Sequence, residues 1–256
     1  MSSGRRVQLE PAFLLHHRPY RDSSRIVEFY AHEHGRVSLF AKGARRAGSA
    51  LAPVLQPFVP LLVSWTGSGD GGTLTGAELA ATPAPLPPAR LMSGFYLNEL
   101  LLKLLARQDA HAALFDSYAE AVASLQGADD AGVQITLRSF ELALLRELGV
   151  LPELDQVTLT VTPVHATGRY SLHAESGVVV ASAGETGVPG QALVAIEAAL
   201  ASGHGPALRA ATAPVLAALR GPLREVLHYH LGSPQLRTRQ VMADVRKLID
   251  RENIRP

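Results

Sequence analysis

Residues 81 to 91 read ATPAPLPPARL, with four prolines between positions 83 and 88. Proline fixes φ, lacks an amide hydrogen and biases the residue before it away from the helical region. No helix and no central strand runs through such a stretch, so residues 81–89 are read as a stiff linker. The chain therefore poses one folding problem before the linker and another after it. With 256 residues and 47% hydrophobic content, there is apolar material for a packed core on both sides.

Upstream, five short runs are rich in β-branched and aromatic residues: AFLLHH (12–17), RIVEFYA (25–31), RVSLFA (36–41), FVPLLVSW (58–65) and GTLTGAELA (72–80). Turn-forming segments separate them, RPYRDSS, HEHG, KGARRAGSALAP and TGSGDG. Five strands in about eighty residues suit a closed barrel, because an open sheet of that size leaves exposed edges. A five-stranded Greek-key barrel is the OB-fold pattern, assigned here to residues 1–80.

Downstream, the period changes to that of helices over 90–108, 110–127 and 132–149; Gly127 and Gly149 are stop signals. Residues 157–190 return to two or three short strands, and helical patterns resume at 191–202, 206–221, 222–232 and 236–253. The expected architecture is α+β and multidomain. An OB-fold barrel is followed by a helical domain (90–156 and 191–256) that carries a small β-rich insertion (157–190).

Several function classes find no support. The chain has no cysteine, which excludes disulfides, thiol catalysis and cysteine-ligated zinc. Gly67-Ser68-Gly69-Asp70-Gly71-Gly72 matches a dinucleotide fingerprint in letters, but Thr73-Leu74-Thr75 continues as strand where a helix is required, so a hairpin turn is the reading. There is no Walker array, no G-x-S-x-G elbow and no H-E-x-x-H. Histidines come as His16-His17, His32/His34 and His228/His230; an i,i+2 pair on a helix points to opposite sides, which makes His228 and His230 poor joint ligands, and His32/His34 have no third ligand in view. No catalytic residue, metal or cofactor is expected. No run approaches the 18 apolar residues of a membrane span, and the N-terminus lacks a leader-like apolar stretch, so the expected compartment is the cytoplasm.

Charge is more informative than its net value of +1. From His16 to Arg46 there are seven Lys/Arg against three Asp/Glu, and from Arg220 to Pro256 eight against four. Ala47 to Leu219 has seven against fifteen. Two basic ends around an acidic middle point to a polyanion partner. Arg18, Arg21, Arg25, Arg36, Lys42, Arg45 and Arg46 can converge on one face and rim of a small barrel. The segment Lys42-Gly43-Ala44-Arg45-Arg46 is read as a loop that tracks phosphates without distinguishing bases. Among nearby aromatics, Tyr20, between Arg18 and Arg21, is the better candidate for base stacking. Phe29, Tyr30 and Phe40 are more often core than platform.

The strings HHRPYRDSSRIVEFYAHEHGRVSLFAKGARR, LQPFVPLLVSW, GFYLNELLLKLL, LRSFELALLRELG and GSPQLRTR resemble, in order, those of the RecO family of bacterial DNA repair and recombination-mediator proteins. The resemblance implies the same domain layout and a nucleoid-associated, non-catalytic role. It implies binding of single- and double-stranded DNA, strand annealing, contact with the single-strand binding protein SSB, and loading of RecA with RecR. It suggests that Arg237 and Arg239, with Arg246 and Lys247, extend a DNA track. It also suggests that Arg138, with Leu101, Leu105 and Lys103 or Arg107, receives the acidic, apolar SSB tail. The alternative is a docking adaptor for SSB and RecR whose DNA contact is incidental. Many members of the family carry a four-cysteine zinc motif in the insertion; this chain has no thiolates to bind one.

Overall fold

The computed structural model describes residues 6–67, 71–82, 84–232, 236–242 and 244. They divide into two compact units, one up to Val122 that also takes the described residues from Val241 on, and one from Ala123 to Gln240.

The first unit is built on a closed barrel of β1 (Arg6–Tyr20), β2 (Ser24–Ala31), β3 (Gly35–Ala41), β4 (Pro60–Thr66) and β5 (Gly72–Leu79), in the order β1-β2-β3-β5-β4. β1 closes the cylinder by pairing with β4 through its first half and β2 through its second. Only β3 and β5 run parallel. This is the five-stranded OB-fold expected from the spacing of the runs. Period-two alternation fixes which side chains fill it. Along β3, Val37, Leu39 and Ala41 are buried while Arg36, Ser38 and Phe40 are half-buried. Val27, Phe29, Leu61, Val63 and Trp65 complete the core.

β1 is longer than the expected 12–17, because the segment RVQLEP before it and Arg18-Pro19-Tyr20 after it, expected in the turn, are also strand. It tolerates Pro11 because the residue's carbonyl still accepts from His32 N (2.9 Å), and bulges flank the region at Val7/Glu10 and Leu14/His16. β4 starts two residues later than expected. Phe58 has φ +67° and turns its ring edge-on to Phe95, with centroids 5.0 Å apart.

α1 (Leu91–Leu104) packs on the barrel through a buried polar chain. Tyr118 Oη donates to Asn98 Oδ1 (2.6 Å), and Asn98 Nδ2 donates to the Leu15 carbonyl (2.9 Å). Tyr118 lies in α2 (Ala112–Gly127). Burial pushes the Tyr118 phenol well above its usual range, so it stays a donor. The Arg36 guanidinium donates to the carbonyls of Leu102 and Leu105 at the C-terminal end of α1.

In the second unit, α3 (Asp130–Glu147) begins at Asp129, whose side chain accepts from Gly132 N (2.7 Å). The insertion forms β6 (Gln156–Val157), β7 (Thr162–Pro163), β8 (Arg169–His173), β9 (Gly177–Val180) and β10 (Val188–Pro189). They make a two-stranded ribbon β6-β7 and a three-stranded sheet β10-β8-β9. Buried Tyr170, Leu172, Val178 and Val188 pack beneath the sheet. α4 (Gly190–Ser202) and α5 (Gly205–Thr212) follow, then α6 (Leu216–Leu231). The helix break expected at Pro222 falls instead at Pro214, in a 3-10 turn over Ala213–Val215. Pro214 sits where the missing amide costs nothing, whereas Pro222 forfeits one helical bond inside α6. No described helix is long and apolar enough to cross a membrane.

Candidate nucleic-acid interface

The barrel's basic residues gather where the β1–β2 turn meets the loop after β3. Arg45 N donates to the Ser23 carbonyl (2.9 Å), and Arg45 Nη1 donates to the Arg21 carbonyl (3.3 Å). The two loops are thereby tied together. Strand register supplies two further rows across the sheet. Arg18 lies opposite Ile26, which lies opposite Phe40, and Pro19 lies opposite Arg25, which lies opposite Ala41. Gly43 has φ +70° and turns the chain so that the Arg46 side chain folds back beside it.

Arg18, Arg21, Lys42, Arg45 and Arg46 are exposed and Arg25 is half-buried. Among the described residues none of these six pairs with a carboxylate. A cluster of like charges without counterions is costly to assemble, and a polyanion relieves that cost. His17, beside Arg18 in β1, reports the same field. Its pKa is held below the usual imidazole value by burial first, then by the positive charge of Arg25 and of His16. His17 was not singled out from the sequence, although the run His16-His17-Arg18 carried the signal.

Arg36 does not join the group. It lies at the other end of β3, its side chain is 14% exposed, and its Nε lies 3.6 Å from Glu28 Oε2. Its expected phosphate contact is replaced by the α1 carbonyls and Glu28. Arg107 Nη2 takes the other Glu28 oxygen at 2.9 Å. Lys103 lies 3.6 Å from Glu99, one helical turn away. Leu101 and Leu105 are buried, at 0% and 3% exposure, so they serve packing and offer no wall to a peptide.

In the second unit, Arg138 Nη1 pairs with Glu141 Oε2, and Arg239 Nη2 lies 4.0 Å from Glu141 Oε1. Arg239 is thus drawn to an internal carboxylate, while Arg237 is exposed. Arg246 and Lys247 lie outside the described residues. The histidine pairs do not assemble a metal site: His32 Nδ1 contacts Glu33 (2.7 Å) and His34 Nδ1 contacts Glu10 (3.2 Å). Among the described residues no three His, Cys, Asp or Glu side chains are grouped to hold a metal.

Of the aromatic residues, Phe29 and Tyr30 are fully buried. Tyr20 and Phe40 are half-buried and in contact, with centroids 5.1 Å apart and planes at 47°. The Arg21 guanidinium sits 5.2 Å from the Tyr20 ring centroid. The site is therefore a cationic rim around an outward-facing aromatic pair.

Two family models match the chain, Recombination protein O N terminal over residues 6–83 and Recombination protein O C terminal over residues 87–240. The chain is 46% identical to the DNA repair protein RecO of Acidovorax ebreus, over 96% of this chain and all of that one. It is 44% identical to the DNA repair protein RecO of Verminephrobacter eiseniae and 45% identical to that of Delftia acidovorans, in each case over 97% of this chain and all of the relative. With the OB-fold barrel in place and both halves of the chain accounted for, the protein belongs to the RecO family of DNA repair and recombination proteins.

Proposed function

We propose that this protein is a non-catalytic recombination mediator that binds and anneals single-stranded DNA through its barrel, contacts SSB, and works with RecR to load RecA. The observation that carries the reading is the group Arg18, Arg21, Arg25, Lys42, Arg45 and Arg46, assembled by two bonded loops and without carboxylate partners among the described residues. Backbone phosphates are the ligand such a rim fits, because they present charge at regular spacing and no base identity. Annealing follows from the same physics. A basic surface lowers the repulsion between two strands, and base pairing then selects the product. No acid, base or nucleophile is required.

The test is an anisotropy titration of labelled oligonucleotide with the protein alone, together with a strand-annealing assay. Arg45→Glu with Arg46→Glu is expected to lower both affinity and annealing rate by tenfold or more. Unchanged binding would remove the barrel from the DNA contact.

A docking role is a second reading, carried by Arg138, whose Nε is buried without a hydrogen-bond partner among the described residues. The Arg138 side chain is 8% exposed and already paired with Glu141, so a terminal carboxylate, such as that of the SSB tail, would have to meet its remaining exposed edge. Calorimetry with the tail peptide tests it. Arg138→Lys keeps the charge and loses the fork, and it is expected to weaken the peptide about tenfold while leaving naked DNA unaffected. Equal affinity in the variant would exclude Arg138 from the contact.

A further inference from the structure

We infer that Tyr20 and Phe40 form a platform on which unpaired bases stack, giving the barrel a preference for single strands that its cations alone do not supply. The inference rests on the reading of the cationic rim as a phosphate contact. It is carried by where the two rings lie. Neither belongs to the barrel core, which is filled by the opposite face of β3. Phe40 faces outward because the alternation that buries Leu39 and Ala41 turns it away. Tyr20 is the last residue of β1, one position before the turn that carries Arg21. No hydrogen bond among the described residues fixes its hydroxyl, so packing of the phenol end does not explain the ring's position.

The surroundings suit a nucleobase. A base needs a flat apolar partner with cations one phosphate away. Lys42 follows Phe40 by two residues and opens the turn after β3, so its Cα lies no farther than about 7 Å from that of Phe40. A nucleotide whose base lies on Phe40 therefore places its phosphate within reach of Lys42 and the Arg45–Arg46 turn. Arg21, with φ +51°, already lies over the Tyr20 ring. It can move to a phosphate and yield the ring face to a base, or cover the base from the other side. In a duplex the bases are paired and stacked on one another, so the platform has nothing to receive. The rim then acts alone.

The experiment compares three ligands of equal length: an ordinary single strand, a strand of abasic residues with the same phosphates, and a duplex. The native protein is expected to bind the ordinary strand about tenfold or more tighter than the abasic one, as is typical of base–aromatic stacking. Tyr20→Leu with Phe40→Leu, checked for an unchanged thermal midpoint, is expected to erase that difference and leave abasic and duplex affinities in place. Tyr20→Phe keeps the ring and is expected to retain it. Equal binding of ordinary and abasic strands by the native protein would overturn the platform and leave the phosphate reading intact, as would an equal loss for all ligands in the leucine variant. Failure of every ligand to bind would overturn the phosphate reading itself, and the platform with it.

Discussion

Arg138 Nη1 lies 2.5 Å from Glu141 Oε2 on one face of α3, with the arginine side chain 8% exposed and the glutamate fully buried. A pair three residues apart on a solvated helix contributes little. Here both charges have left water, and the carboxylate depends on its partner. Removing the guanidinium takes a charge partner from a buried carboxylate, so Arg138→Ala is expected to destabilise the fold by about 3 kcal/mol. Arg138→Met with Glu141→Leu is expected to cost far less than the sum of the single changes, measured by denaturant titration.

The salt dependence of DNA binding separates rim cations from structural ones. If about five rim groups neutralise phosphates, the log–log slope with single strands is expected near −3.5, from about −0.7 per contact. Arg45→Glu with Arg46→Glu flattens it. Arg36→Ala leaves the slope unchanged but removes the bonds to the end of α1, lowering stability by roughly 1.5–3 kcal/mol.

If the rim holds phosphates, His17 is expected to give the interaction a pH dependence. Its pKa lies below the usual imidazole value in the free protein, for the reasons of burial and neighbouring charge given above. A depressed imidazole favours the folded state when neutral, so that contribution is present above the unfolded value and is lost as pH falls through the folded one. A phosphate beside it favours the protonated form. Affinity is therefore expected to rise as pH falls from about 7.5 to about 5.5 at constant ionic strength, by no more than about tenfold per pH unit for one proton. Anisotropy at pH 7.5 and 5.5 measures it, and His17→Gln is expected to remove that component.

Gly35 is where β3 begins and the segment after α1 crosses it. Its φ is +62°, and a Cβ there falls 1.9 Å from the Asp109 carbonyl oxygen. Gly35→Ala is expected to cost at least about 2 kcal/mol, from about 1–2 kcal/mol of left-handed backbone strain plus the overlap. The thermal midpoint reports it.

The insertion is expected to be indifferent to metal. Its sheet is held by strand pairing and by Tyr170, Leu172, Val178 and Val188. Elemental analysis is expected to find no stoichiometric zinc, and a chelator is expected to leave the melting curve unmoved.

The barrel was legible because its information is local. Alternation in RVSLFA, turn residues at regular intervals and the proline run are properties of neighbouring residues. The helix stop at Gly149 was legible for the same reason, since it adopts the left-handed conformation that glycine favours. Pro214 and Pro222 carry the same local signal; which of them ends a helix depends on the packing around it.

The sequence by itself determined that a basic barrel precedes a helical region with a cysteine-free insertion. It also determined which cations were available for a phosphate contact. Only the tertiary structure decided how they are spent. Arg36 and Arg45 read alike along the chain, yet Arg36 ends against helix carbonyls and Glu28, while Arg45 stays in a bonded turn beside other unpaired cations. Phe29 and Phe40 both read as core, yet one fills the barrel and the other meets Tyr20 on its outer face. Alternation within each strand fixes the two faces. Which face another element then covers depends on contacts between residues far apart in the chain, such as Arg36 with Leu105, and those are set by packing.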